Sequence, residues 1–171
     1  MILETERLIL SPATQADAPL IHPILADPEV MAHMDGAAMD DPDLVDAFVG
    51  GRVAEMANGE ALYWSVRHNA SGAYLGSVDL SDIDRRHHRA ELGFVLGRDA
   101  WGHGYGHEAV HAVLSHAATQ GFKRVWARTQ VGDNPSERLL LKLGFEDEGY
   151  LRGHTDRDGE RRDFRLWGLL L

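Results

Sequence analysis

The sequence predicts an α/β (α+β) domain: one central, twisted, mixed β-sheet of about six to seven strands flanked by about four helices. Three observations predict it. Short apolar runs bounded by turn residues recur along the chain. After the midpoint, Val110, Val113, Leu114 and Ala117, then Leu139, Leu140 and Leu143, mark two helices. Hairpin signals flank these helices, so a parallel crossover sits among antiparallel pairs. The 171 residues suit a single domain, 1–171, with a sizeable core.

Taken in order, residues 5–11 alternate enough for a first strand, and Pro12 stops it. Residues 13–26 read as a short helix, with Ala16, Leu20, Ile24 and Leu25 on one face. Asp41 before Pro42 is an N-cap followed by an N1 proline. Leu44, Val45, Phe48, Val49, Val53 and Met56 carry the helix that follows, and Asn58-Gly59 end it. Residues 61–68 and 74–80 form a hairpin around Asn69-Ala70-Ser71-Gly72. Residues 89–96 are a further strand, carrying Glu91. His87 and His88 before it point oppositely on any strand and chelate poorly, so they read as surface residues. Gly121 ends the long helix, and 122–131 is a strand. Asn134-Pro135-Ser136-Glu137 reads as N-cap, N1 proline and N3 glutamate, and Gly144 is the C′ stop. Residues 145–152 and 163–171 are the last strands, with Asp156-Arg157-Asp158-Gly159 as the turn.

Composition narrows the function. The absence of cysteine removes disulfides, thiolate metal ligands and an acyl-cysteine intermediate. No apolar run is long enough for a membrane span, and no signal peptide opens the chain, so the expected location is cytoplasmic. The net charge of −10 disfavours nucleic acid and favours cationic partners such as amines. An anionic ligand must then be held locally, by backbone N–H groups.

One stretch offers such groups: Trp101-Gly102-His103-Gly104-Tyr105-Gly106-His107-Glu108, between the strand at 89–96 and the long helix. A helix N-terminus has unpaired N–H groups and partial positive charge, and glycine lets an anion approach closely. The spacing G-x-G-x-G lacks the third glycine of a dinucleotide fingerprint, and no Lys-Ser/Thr pair follows as in a P-loop. The same residues contain a rival, His107-Glu108-Ala109-Val110-His111, which satisfies H-E-x-x-H. That zinc-hydrolase reading would put His103, His107 and His111 on one helical face, but a third ligand downstream is missing. No metal is therefore expected.

The loop resembles the pyrophosphate loop of the GNAT N-acetyltransferases, Arg/Gln-x-x-Gly-x-Gly/Ala. Gly104 and Gly106 match the glycines, and Trp101 replaces the Arg/Gln as in the ribosomal-protein (RimJ/RimL-type) branch. The Thr5-Glu6-Arg7-Leu8 opening, Asp27-Pro28-Glu29-Val30, Glu91-Leu92-Gly93-Phe94 and the Lys142-Leu143-Gly144-Phe145 ending extend the resemblance over nearly the whole chain. The resemblance implies an acetyl-CoA-dependent N-acetyltransferase acting on a primary amine, a protein N-terminus or a small amine, by direct attack in a ternary complex. It implies that Trp101, Gly102, His103, Gly104, Tyr105, Gly106 and His107 hold the pyrophosphate. Phe94, Val95 and Leu96 would hold the pantetheine arm and polarise the thioester carbonyl, as an oxyanion hole does. Glu91 would take the amine's proton or bind its cation. The usual tyrosine acid is absent, since Leu140 stands in its place, so Ser136 is expected to serve the leaving thiolate, with Tyr150 as fallback. Asn134 resembles a pantetheine-binding Asn but is one residue late, and Asp133 stands in the expected place. A homodimer is expected by the same resemblance. The alternative from a different class is a non-catalytic acyl-CoA-binding module on the same fold.

Overall fold

β1 (Leu3–Glu4) and β2 (Leu8–Pro12) open the chain in the computed structural model, which describes residues 1–171. Then come α1 (Ala18–Leu25), α2 (Pro42–Asn58), β3 (Leu62–His68), β4 (Tyr74–Asp84) and β5 (Arg89–Leu96). α3 (Tyr105–Thr119), β6 (Arg124–Gln130), α4 (Asn134–Lys142), β7 (Glu146–Arg157) and β8 (Glu160–Leu170) complete it. The strands form one eight-stranded sheet in the order β1-β2-β3-β4-β5-β6-β8-β7. Only β5–β6 is parallel, and α3 makes that crossover, so the sheet is mixed as predicted. The count is slightly above expectation because the two-residue β1 also pairs.

The elements follow local chemistry, with informative departures. Asp41 accepts from the Asp43 N–H and caps α2, while Gly59, at φ 73°, ends it in the left-handed region. The predicted helix over 13–26 splits: Thr14 and Asp17 make a capping box over a 3-10 turn, and α1 starts only at Ala18. The predicted capping by Asn134 is corrected. Asp133 is the N-cap and accepts from the Ser136 N–H at 3.3 Å, which puts Asn134 at N1, Pro135 at N2 and Ser136 at N3. An aspartate one residue earlier competes for the same N–H and wins. β7 and β8 are longer than expected and turn through Asp158-Gly159, both at positive φ. That geometry matches the right-handed twist of a hairpin, so pairing extends to Arg157–Glu160.

The sheet has two unlike faces. Val66, Val78, Leu80, Leu92, Val125 and Ala127 are buried with Ala109, Val110, Val113 and Leu114 of α3. Each fully buried Val or Leu contributes roughly 1.5–3 kcal/mol. The opposite face, toward α1 and α2, presents Tyr63, Ser65, Ser77, Asp79, Ser81 and Glu91. The strict alternation of a strand puts both sets on the same segments.

β5 and β6 then separate. Their pairing covers only Arg89–Glu91 against Arg124–Trp126, while β5 stays paired to β4 as far as Leu96. Past Glu91, the β6-facing edge of β5 has no strand neighbour, and the cleft of the candidate site opens there.

Candidate active site

The glycine loop stands at the end of that free edge. A 3-10 turn, Arg98–Ala100, leads into it, and the Trp101 indole N–H donates to the Leu96 carbonyl at 2.8 Å. Gly104 is the N-cap of α3 at φ 81°, a conformation that disfavours any side chain. Gly106 lies in the first turn, where a Cβ would stand 2.9 Å from Leu139 and 3.3 Å from Leu96. Its missing side chain lets the start of α3 settle between β5 and α4.

The first helical bond runs from Glu108 N to Gly104 O, at 3.1 Å. The N–H groups of Gly102, His103, Gly104, Tyr105, Gly106 and His107 have no backbone acceptor. Six consecutive donors at a helix N-terminus form a concavity suited to a pyrophosphate. This fits a coenzyme A diphosphate, and the Arg7 guanidinium lies beside the loop, 3.5 Å from where a Cβ at Gly104 would stand. His103 stacks on Tyr105 at 5.5 Å, and its carbonyl accepts from Arg7.

The zinc reading fails on geometry. His103 lies in the turn before α3 and does not share a helical face with His107 and His111. Glu108 is occupied: its Oε1 accepts from Thr5 Oγ1 and Arg7 N, and its Oε2 from Arg7 Nε at 2.7 Å. It fastens α3 to the first strands, and no third metal-ligating group joins the pair. Burial works to raise the Glu108 carboxyl, but these donors and the Arg7 charge outweigh it and hold it below the usual range.

A cavity of about 380 Å³ lies between the polar face of the sheet, α1, α2 and the β5–β6 gap. Its wall includes Glu91, Phe94, Val95 and Ser136 from the predicted set, so the structure brings both sides of the expected chemistry to one space. Asp133, rather than Asn134, lines it. Leu96 and the loop residues 101–107 lie outside the wall, at the end of the β5 edge. Tyr150 is exposed on β7 with its hydroxyl donated to Asp163, away from the cavity.

The cavity is acidic, with Asp17, Asp35, Asp79, Glu91 and Asp133 set against Arg52 and Arg128. The residues that sequence reading missed define this end. Glu91 is not free, because its Oε1 accepts from Arg128 Nε at 2.7 Å. Arg128 also meets His154 Nε2 at 2.8 Å and lies 3.9 Å from Asp35. Asp17, 4% exposed, accepts from Thr14 N, Ser65 Oγ and Arg67. Burial works to raise the Asp17 carboxyl, yet these donors hold it below the usual carboxylate range. One sequence signal could have exposed this end: in Ser77-Val78-Asp79-Leu80-Ser81 every second residue is polar, on a strand between two others. A polar row covered by helices needs a reason.

Comparison with known proteins identifies the family. The family profile "Acetyltransferase (GNAT) domain" matches residues 7–146. An uncharacterised N-acetyltransferase, p20, of Bacillus licheniformis is 30% identical over 98% of this chain and 95% of its own. The ribosomal protein uS5-alanine N-acetyltransferase of Escherichia coli is 31% identical over 65% of this chain and 58% of its own. RimL, the ribosomal L7/L12 α-N-protein acetyltransferase solved with coenzyme A, superposes with a TM-score of 0.90 over 100% of this chain and 98% of that one. At 17% identity it shows the shared fold alone.

Proposed function

The chain belongs to the GNAT acetyltransferase family and is an N-acetyltransferase, and on that premise we propose that it moves an acetyl group from acetyl-CoA to the primary amine of a cationic acceptor, by direct attack in a ternary complex. The observation that carries this is the continuity of the six free N–H groups with the unpaired β5 edge and the acidic cavity. Acetyl-CoA would lie with its diphosphate on residues 102–107 and its pantetheine arm along Phe94, Val95 and Leu96. The N–H groups of that edge would donate to the thioester carbonyl as negative charge develops on its oxygen. Ser136, whose N–H is held by Asp133, keeps its hydroxyl for the leaving sulfur. Glu91, clamped through Oε1 by Arg128, offers Oε2 to the acceptor and fixes its orientation. The excess of carboxylates selects a protonated amine, on a small molecule or on a protein N-terminus. Pairing through an exposed sheet edge, β1 or β7, would give a homodimer.

The test offers the protein acetyl-CoA with an alanine-starting peptide, a polyamine and an aminoglycoside, and follows thiol release and product mass. Acetylated amine with one thiol released per product supports the reading. Saturable acetyl-CoA binding with no transfer to any amine would favour the non-catalytic module instead.

A further inference from the structure

Three carboxylates reach the sheet side of the cavity, and two of them have guanidinium partners. Asp17 pairs with Arg67, and Glu91 pairs with Arg128. Asp79 has neither, for no arginine, lysine or histidine nitrogen comes within 4.0 Å of its oxygens. Its position is built by the opposite strand. Asp79 on β4 stands across from Gly93 on β5, and a Cβ at 93 would lie 2.6 Å from Asp79 Oδ1 and 2.9 Å from Oδ2. The carboxylate occupies the space a side chain would take. It therefore lies over the strand that continues directly into Phe94 and Val95, beside the unpaired edge.

We propose that Asp79 is the group that accepts the proton from the acceptor's ammonium, with Glu91 holding the acceptor beside it. This rests on the acetyl-transfer reading above. The ammonium loses one proton to Asp79, which becomes the neutral acid. The freed amine attacks the thioester carbonyl carbon; the C–N bond forms and the C–S bond breaks. The nitrogen's second proton passes to the departing sulfur, beside the Ser136 hydroxyl, and coenzyme A leaves as the thiol. Asp79 then returns its proton to water, so the transfer releases one proton overall.

The surroundings suit the role. Arg52 and Glu55 of α2, Tyr63 of β3, Ser81 of β4 and Glu91 of β5 face Asp79. Burial pushes its carboxyl up to about 6; Arg52 and Ser81 oppose the rise, and Glu91 and Glu55 add to it. A base that titrates close to the working pH is matched to proton transfer. Glu91 has a guanidinium partner to keep it fixed, and Asp79 has none.

The experiment measures kcat against pH, and acetyl-CoA affinity, for the parent protein, Asp79→Asn, Gly93→Ala and Glu91→Gln. Asp82→Asn, on an exposed residue outside the cavity, is the control. Asp79→Asn is expected to lower kcat by about 100-fold or more while sparing acetyl-CoA affinity, the range for removing a positioned base. The parent's rise in kcat with a midpoint near 6 disappears with it. Gly93→Ala, whose Cβ displaces the carboxylate, also loses kcat. Glu91→Gln raises the acceptor KM and keeps the rise near 6. If Asp79→Asn keeps kcat within about threefold of the parent, or keeps that rise, the assignment is overturned while acetyl transfer stands. If the parent binds acetyl-CoA but acetylates no amine, the transfer reading falls and the role of Asp79 falls with it.

Discussion

At the glycine-loop end, the groups offered to a ligand are main-chain N–H groups from successive residues 102–107. At the acceptor end they are carboxylates brought together from before α1, from β4 and from β5, each tuned by a different neighbour. The first end depends on backbone conformation; its side chains pack on one another, with His103 stacked on Tyr105 and the Arg7 guanidinium over the Tyr105 ring. The second depends on side-chain pairing across long sequence distances, and one unpaired carboxylate among paired ones gives it direction. On the proposed reading, an acidic protein holds an anionic cofactor because the diphosphate meets main-chain dipoles locally.

The contrast can be broken from either side. The largest effect is expected from Asp17→Ala, which leaves Arg67 uncompensated beside Ser65 and should cost about 3–5 kcal/mol of stability. The Asp17 carboxyl is held below its unfolded value of 3.8. Its contribution is therefore present above that value and is lost as pH falls through the lower, folded one. Urea denaturation at pH 7 and at low pH should show the two proteins converging in acid.

At the other end, Gly106→Val should weaken acetyl-CoA binding by about 100-fold, since overpacking against Leu139 and Leu96 shifts the start of α3 at a cost of about 1–3 kcal/mol. Calorimetric titration measures it, and an unchanged affinity would mean the loop is not where the diphosphate rests. Asp79→Asn should act oppositely on stability and on activity. Its carboxyl is raised from 3.8 to about 6, so the native state binds the extra proton and stability falls as pH rises between those values. Above pH 7 the asparagine variant should be more stable by roughly 1–3 kcal/mol, and near pH 4 the difference should vanish. Melting curves at the two pH values check this. The smallest effect is expected for Trp101→Phe, which removes one hydrogen bond to Leu96 and should weaken acetyl-CoA by about fivefold, or about 1 kcal/mol.

The same contrast explains what the amino-acid sequence reveals unaided. The strand-loop-helix stretch from Glu91 to His107 is legible because helix starts, left-handed glycines and apolar stripes are local properties. The mixed sheet was legible for the same reason, since hairpin signals and one helix crossover fix it. The partner of Glu91 lies 37 residues away and the partner of Asp17 lies 50 away, and no local pattern announces either. Asp133 against Asn134 shows the limit even at short range, where two adjacent residues could each cap α4 and only the geometry at Ser136 decides. His103 likewise satisfies a helical spacing on paper but sits before the helix begins.

The most direct test of the central claim is to follow the backbone amide resonances of Gly102, Gly104 and Gly106 as acetyl-CoA and then desulfo-CoA are titrated into the protein. Large, saturable shifts of these three with both ligands, together with Phe94 and Val95, are the predicted result. Saturable binding that leaves all three glycine amides unmoved would contradict the account.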